Sequence, residues 1–219
     1  MTATNSNRKV AVAGAGLMGC GIASMFALAG FDVVVYDSHA SALSHTKQNC
    51  HAVFLEMAVA NLIAQSELAA AEARVRTAES LAELSEAALV IEAIVESVSA
   101  KQSLYCGLEA VLSDAAILAS STSGIVPETL SEHLRRPGRF LVAHFWNPPH
   151  IIPLVEVVPA PRTEQSTVVA TMEWLTAANC KPVLLSKAVP GFIGNRLQFA
   201  VLREALHMLQ TGIADADTI

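Results

Sequence analysis

Apolar positions along the chain cluster into short runs, separated by longer stretches in which polar residues are interspersed. The runs have the length of β-strands and begin at Val10, Val33, Ala88, Ala115, Phe140, Leu154 and Pro182. The run over residues 88–95 contains a single acid, which is typical of a strand buried on both faces of a parallel sheet. The alternation of such runs with helical spacing predicts an α/β fold with a doubly wound, mainly parallel sheet.

The stretches between the runs predict helices over residues 17–29, 40–73, 98–112, 127–134 and 166–178, with a further short strand over residues 74–77. A last helix is predicted over residues 191–211, with Gly212 just past its end. Its apolar residues share one face: Phe192, Phe199, Leu202, Leu206 and Leu209. Asn195 interrupts that face, so it is either a packing residue or a functional one. We expect a domain boundary near residues 188–190, which divides the chain into units 1–189 and 190–219.

A glycine turn between the first strand and the first helix carries the strongest chemical signal. Gly14, Gly16 and Gly19 form the pattern G-x-G-x-x-G, with Leu17 and Met18 inside it. The first glycine permits a tight turn, the second removes a Cβ near a pyrophosphate, and the third lets helix and strand pack closely. The N–H groups of the helix then bind phosphates, so the pattern predicts a Rossmann-type dinucleotide site.

Asp37 ends the second predicted strand, 18 residues after the last of these glycines. A carboxylate at this place accepts hydrogen bonds from an adenosine ribose and repels a 2′-phosphate, so NAD is predicted rather than NADP. The uncharged segment Val10–Phe31 is long enough to span a bilayer. Its closely spaced glycines and the β-rich sequence that follows favour the dinucleotide interpretation.

Composition and charge narrow the class of protein. The 219 residues are 53% hydrophobic and 16% charged, as expected of a compact globular chain. The net charge of −6 argues against nucleic acid as a partner. The four cysteines, Cys20, Cys50, Cys106 and Cys180, are scattered without metal-ligand spacing, so we expect no metal and a reducing, cytoplasmic compartment. The polar segment MTATNSNRK abuts the first strand, and we expect no cleavable signal and no membrane anchor.

His144 directly follows a predicted strand, at the sheet edge where a dinucleotide binds, and its ordinary pKa of about 6.5 suits proton exchange. Glu156 lies 12 residues later in the next strand, close enough to accept a hydrogen bond from one ring nitrogen. The alternative is a histidine that binds a backbone carbonyl and a glutamate that is paired with a surface lysine. For His150, in the loop after His144, the alternatives are contact with the substrate and exposure to water, and we expect exposure. We expect the remaining five histidines to face water.

Five motifs follow one another along nearly the whole chain: GAGLMG, EAIVES with Lys101, SSTSG, HFWNPP followed by PLVEVV, and PGFIGNR. Together they resemble the 3-hydroxyacyl-CoA dehydrogenase family. The resemblance implies NAD-dependent oxidation of a 3-hydroxyacyl-CoA to the 3-keto compound, and a place in fatty acid metabolism. It implies that His144 is the base, that Glu156 orients it, and that Ser123 and Asn195 bind near the substrate oxygen. It also implies that Glu96, Lys101, Ser123 and Asn147 lie along the NAD.

Two departures from the family pattern leave the substrate open. The helical stretch after the second strand lacks basic residues between Lys47 and Arg74 and carries Glu56, Glu67 and Glu72, whereas members that bind coenzyme A carry basic residues there. The His150 loop is also similar to the gulonate dehydrogenase (lambda-crystallin) and carnitine dehydrogenase branches. A free hydroxy acid is therefore the alternative substrate, and an idle NAD-binding structural protein is the alternative of another class.

The resemblance also implies an all-α C-terminal domain that forms a homodimer. Residues 190–219 correspond to the beginning of that domain, and its first helix carries the apolar face described above. A methyltransferase also begins with a glycine-rich strand–helix turn, but that class does not account for the His–Glu pair or for Asn195.

Overall fold

The computed structural model describes residues 8–219, so the polar segment at residues 1–7, including the prediction that it holds no signal, lies outside the described residues. Eight strands form one sheet: β1 Lys9–Ala13, β2 Asp32–Tyr36, β3 Val75–Ala78, β4 Leu89–Glu92, β5 Ile117–Ser120, β6 Phe140–Phe145, β7 Leu154–Pro159 and β8 Lys181–Leu184. The helices are α1 Leu17–Leu28, α2 Ala40–Val59, α3 Leu68–Glu72, α4 Val98–Val111, α5 Pro127–Ser131, α6 Gln165–Ala177 and α7 Gly194–Gln210.

The strand order is β3-β2-β1-β4-β5-β6-β7-β8, and every neighbouring pair is parallel except β6 and β7. The chain thus starts in the middle of the sheet, winds outward in one direction, and returns to β4 to wind outward in the other. This reversal of winding between β1 and β4 creates a crevice at the carboxyl ends of the strands, where ligands bind in such folds. The predicted doubly wound, mainly parallel fold is confirmed.

Two apolar cores lie on opposite faces of the sheet. On one face, side chains of α1, α2, α3 and α6 pack against alternate strand residues such as Val10 and Val12. On the other face, α4 and α5 pack against the residues between them, such as Ala11. Both faces of the central strands are buried, which explains why the strands read as continuous apolar runs rather than as an alternating pattern.

The predicted helix over residues 40–73 is wrong in its middle. The helix α2 ends at Val59, and a turn with Asn61 at φ 56° separates it from a short 3-10 turn and α3. Asparagine tolerates the left-handed conformation better than most residues, so Asn61 is suited to end the helix there. The break was not predicted because the surrounding residues are strong helix formers.

The last helix begins later than predicted. Gly191 and Phe192 have positive φ values of 75° and 48°, so the chain turns sharply before α7 starts at Gly194. Phe192 is fully buried in this turn and does not belong to the apolar face of the helix. That face, made of Phe199, Leu202, Leu206 and Leu209, is 45% to 59% exposed. Gly212 has φ 71° just past the helix, as predicted for its end.

Within residues 8–219, no helix combines the length and the apolar character that crossing a bilayer requires.

Candidate active site

The glycine turn lies at the carboxyl end of β1, next to the end of β4. Gly14 has φ 119° and donates its N–H to the carbonyl oxygen of Tyr36 at 2.7 Å. A Cβ at Gly14 would lie 2.5 Å from the carbonyl oxygen of Ala93, and one at Gly19 would lie 1.8 Å from that of Gly14. These two positions therefore exclude any side chain, as the fingerprint requires.

The middle glycine of the turn faces open space. A Cβ at Gly16 would meet nothing within 4 Å among the described residues. Gly16 is also the N-cap residue of α1 and supplies no side-chain cap, so the first N–H groups of the helix stay available to a ligand. Leu17 beside it is 69% exposed. This open, uncapped helix N-terminus fits the pyrophosphate of a dinucleotide.

Asp37 follows β2 and is held by backbone N–H groups. Its Oδ2 accepts from Ala15 N and its Oδ1 from His39 N, both at 2.8 Å. Burial by itself raises the pKa of Asp37, but these hydrogen bonds outweigh burial and lower the pKa below its ordinary value. A fixed, ionised carboxylate at the end of β2 fits the two hydroxyls of an adenosine ribose.

Glu96 links the loop after β4 to the loop after β5. Its carboxylate accepts from the Thr122 hydroxyl, from Ser123 N at 3.2 Å, and from the ammonium of Lys101 at 3.3 Å. Burial raises the pKa of Glu96, and these contacts more than reverse that effect, so the pKa is lowered. The Glu96 side chain stays 43% exposed, and the neighbouring Val95 is 71% exposed.

Lys101, which is predicted to lie along the NAD, is buried. Only 1% of its side chain is exposed, and its ammonium binds Glu92 Oε1 at 2.6 Å. The other oxygen of Glu92 accepts from Tyr105 Oη at 2.6 Å and from Ser120 Oγ at 2.7 Å. Lys101 thus supports Glu96 from the interior of the protein. The one acid in the apolar run of β4 was the sequence signal for this cluster.

His144 and Glu156 form the centre of the site. They lie directly opposite each other in the antiparallel pair β6–β7, and His144 Nδ1 is 2.7 Å from Glu156 Oε2. The sequence predicts that His144 follows the strand. In the structure His144 lies inside β6, because the strand extends to Phe145. Both side chains are nearly buried, with 8% and 2% exposed. Since an ionised carboxylate only accepts, Nδ1 carries a proton, and in the neutral ring Nε2 keeps its lone pair.

Glu156 also accepts hydrogen bonds from an indole and from two backbone N–H groups. Its Oε2 accepts from Trp146 Nε1 at 3.3 Å, and its Oε1 accepts from Ile193 N at 2.8 Å and Gly194 N at 3.2 Å. Burial raises the pKa of Glu156, but the hydrogen bonds from His144 and from the backbone outweigh burial and lower it. The carboxylate is therefore ionised and held from three sides. Backbone donors leave no mark in a sequence, so this contact was not predictable.

Ser123 and Asn195 come together across the crevice. Asn195 Nδ2 donates to the carbonyl oxygen of Ser123 at 2.9 Å, although the two residues are 72 positions apart. Asn195 thus has a hydrogen-bond partner in the loop after β5. This partner explains why a polar residue interrupts the apolar face of α7. Asn147 is exposed, immediately before a cis bond to Pro148 in the loop that leaves β6.

His150 is buried, so the prediction that it faces water is wrong. Its side chain is 4% exposed, and Nε2 lies 3.1 Å from Glu56 Oε2 on α2. The loop packs against α1, where a Cβ at Gly21 would lie 2.6 Å from Pro149. The absence of a side chain at Gly21 allows this approach. The other five histidines are exposed, as predicted: His39, His45, His51, His133 and His207.

Comparison with known proteins gives a family for the fold and the site. Residues 9–189 match the family described as 3-hydroxyacyl-CoA dehydrogenase, NAD binding domain. A 3-hydroxybutyryl-CoA dehydrogenase from Bradyrhizobium diazoefficiens is 35% identical over 97% of this chain and 72% of its own length. An L-carnitine dehydrogenase from Bacillus cereus is 33% identical over 98% of this chain and 65% of its own length.

A solved structure shows the same architecture. The (S)-3-hydroxybutyryl-CoA dehydrogenase PaaH1 from Ralstonia eutropha superposes with a TM-score of 0.91 at 29% sequence identity. The match covers 98% of this chain and 75% of that one. The present chain thus spans about two thirds to three quarters of the length of these proteins.

Proposed function

This chain belongs to the 3-hydroxyacyl-CoA dehydrogenase family, and we propose that it oxidises a 3-hydroxyacyl-CoA reversibly to the 3-ketoacyl-CoA. It is an oxidoreductase of CH–OH groups with NAD as its cofactor. The observation that carries the proposal is the hydrogen bond of 2.7 Å between His144 Nδ1 and Glu156 Oε2 at the crevice. This hydrogen bond fixes the tautomer of the imidazole that we propose as the base.

His144 acts as the general base in this reaction. Its Nε2 takes the proton of the substrate hydroxyl, so the ring must be neutral when oxidation begins. The imidazolium that forms is stabilised by the ionised Glu156 at Nδ1. NAD, when bound, supplies the acceptor for the hydride that leaves the hydroxyl carbon. In the reverse direction the imidazolium returns the proton to the carbonyl oxygen.

The remaining site residues bind and orient the substrate and the cofactor. Ser123 and Asn195 supply hydrogen bonds near the substrate oxygen. The contact between the Asn195 amide and the Ser123 carbonyl supports this, because it holds the two residues together. The cofactor is held by the glycine turn and by groups along the crevice: Gly14, Gly16, Leu17, Met18, Gly19, Asp37, Glu96, Ser123 and Asn147. Lys101 contributes from the interior, through its ion pair with Glu96.

A free hydroxy acid is the second candidate substrate, and the charge of α2 favours it. The segment between Lys47 and Arg74 contains no lysine or arginine, and Glu56 of α2 lies beside the His150 loop. The phosphates of coenzyme A require cations nearby, whereas a small hydroxy acid does not. The related L-carnitine dehydrogenase is named for such a free hydroxy acid.

The proposal extends to the organisation of the protein. Residues 1–189 form the NAD-binding domain, and residues 190–219 begin a helical domain that forms a homodimer. The exposed apolar face of α7 supports this, because a face of that kind is stable only when it is covered. We place the protein in the cytoplasm.

A panel of substrates tests the function. The full-length protein is given NAD with 3-hydroxybutyryl-CoA, free 3-hydroxybutyrate, gulonate and carnitine, and NADH formation is followed at 340 nm. Turnover with the CoA thioester alone supports the first candidate, and turnover with free acids alone supports the second. NADH binding without turnover of any of them would overturn both in favour of an idle NAD-binding protein.

A further inference from the structure

We propose that Trp146 is a positioning residue for the acid–base pair, which fixes Glu156 toward His144 and at the same time fixes the first turn of α7. The inference rests on the proposed function. It adds a residue that joins two parts of the site: the pair of β6 and β7, and the helix that carries Asn195.

The indole of Trp146 makes two separate contacts. Its Nε1–H donates to Glu156 Oε2 at 3.3 Å, the same oxygen that accepts from His144. Its six-membered ring lies against Gly194, where a Cβ would be 1.7 Å from Trp146 Cζ2. No other residue type can therefore occupy position 194 while the indole stays in place.

Glu156 takes the place of a cap for α7. The N-cap residue of α7, Ile193, supplies no side-chain cap within the described chain, and the N–H groups of Ile193 and Gly194 bind Glu156 Oε1 instead. One oxygen thus holds the helix and the other holds the base. The indole contacts both arrangements. It donates to Oε2, which also binds His144, and it covers Gly194, whose N–H binds Oε1.

Few charged groups surround the Glu156 carboxylate. Among residues 8–219, the ionisable group in contact with Glu156 is His144, and the other donors are the indole and two backbone N–H groups. On the β8 side, Glu156 is paired in register with the apolar Val183. Phe192, from the turn before α7, packs against the His144 ring with centroids 5.5 Å apart. The charge on Oε2 is therefore shared between the imidazole and the indole.

Trp146→Phe tests the inference, because it keeps an aromatic ring at position 146 and removes the indole N–H donor, together with part of the ring surface that lies against Gly194. With less competition for Oε2, the imidazolium form of His144 is favoured. We expect the midpoint of the His144 titration, followed by NMR of the ring protons, to move up by about 0.5 pH unit. A shift of that size corresponds to part of the net free energy of one hydrogen bond. The midpoint of kcat/KM against pH for oxidation moves in the same direction.

Trp174→Phe is the matched control, since the chain has two tryptophans and Trp174 is buried 5.3 Å from Phe31 in the α6 core. We expect it to lower the melting temperature and to leave the His144 titration unchanged. This control also leaves Trp146 as the remaining tryptophan of the two, so the single indole N–H signal in its spectrum belongs to Trp146. We expect that signal to move as His144 titrates, and to shift in Glu156→Gln on the same background.

A titration of His144 in Trp146→Phe within 0.1 pH unit of wild type would overturn the inference. If that variant does not fold, an indole signal insensitive to Glu156→Gln would overturn it instead. Both NMR measurements are made without substrate. A protein that fails the substrate panel but shows these shifts would contradict the proposed function and leave the positioning role of Trp146 supported.

Discussion

Asn195 on α7 donates a hydrogen bond of 2.9 Å to the carbonyl oxygen of Ser123, in the loop that follows β5. Ser123 in turn donates its N–H to Glu96 at 3.2 Å, and Glu96 is held by Lys101. A continuous set of contacts therefore runs from the interior of the NAD-binding unit to the helix beyond it. This set fixes Asn195 beside the loop that follows β5.

Removing the Asn195 side chain should impair the reaction more than the fold. In Asn195→Ala we expect kcat/KM for the hydroxy substrate to fall by about 10- to 100-fold, since one or two hydrogen bonds are lost in the transition state. The melting temperature should change little, because the residue is only partly buried. Gln198→Ala, on an exposed position of the same helix, is the control and should retain activity. Equal kinetics in the two variants would exclude a role for Asn195.

Replacing the base should separate chemistry from binding. In His144→Gln we expect kcat to fall by at least about 10²-fold, the usual contribution of a general base. The dissociation constant for NADH, measured by fluorescence titration, should stay within about threefold of wild type. His133→Gln changes an exposed histidine and should leave both quantities unchanged. A parallel loss of NADH binding and turnover in His144→Gln would mean that the residue holds the fold or the cofactor.

Cofactor choice should follow the charge at the end of β2. In the double variant Asp37→Ser with Ser38→Arg, the carboxylate that repels a 2′-phosphate is replaced and a cation is added. We expect the ratio of kcat/KM for NAD to that for NADP to fall by about tenfold or more, equivalent to ~1.4 kcal/mol. Asp32→Ser, at the exposed start of the same strand, is the control. Unchanged selectivity in the double variant would contradict the ribose role of Asp37.

Most of the fold could be predicted from the sequence, because the strands and the glycine turn carry their own signals. The strands of the sheet centre are apolar throughout, and the glycine turn joins β1 to α1 in a spacing that few other structures require. The pair His144 and Glu156 was also predictable, because a spacing of 12 residues allows two strands to meet side by side. Antiparallel register then brings the two residues face to face.

What the sequence did not reveal depends on contacts between distant parts of the chain. The burial of His150 follows from its meeting Glu56, 94 residues earlier. The burial of Lys101 follows from Glu92, whose carboxylate lies inside the sheet. A charged residue type suggests exposure, and only the presence of a buried partner reverses that expectation. The bonds from the backbone of α7 to Glu156 have no sequence pattern at all.

The buried ion pair beneath Glu96 should be costly to break. In Lys101→Met, Glu92 is left as an unpaired buried acid, and we expect the free energy of unfolding to fall by about 3–5 kcal/mol. Urea denaturation at 25 °C measures the change. Lys187→Met, at an exposed position, should alter stability by less than about 0.5 kcal/mol. The double variant Glu92→Gln with Lys101→Met should recover part of the loss, and a stable single variant would contradict the pairing.

Acid should destabilise the fold through Glu156, and the sign follows from its lowered pKa. The unfolded chain restores the ordinary pKa of 4.5, whereas hydrogen bonds in the folded state hold the pKa below that value. The unfolded state therefore binds the proton more readily, and protonation favours unfolding. The stabilisation is complete above about pH 5 and is lost as the pH falls through the folded pKa. We expect the slope of unfolding free energy against pH, measured below pH 5 by urea denaturation, to be smaller in Glu156→Gln. Glu132→Gln, on the surface, should keep the wild-type slope, and an unchanged slope in Glu156→Gln would contradict this assignment.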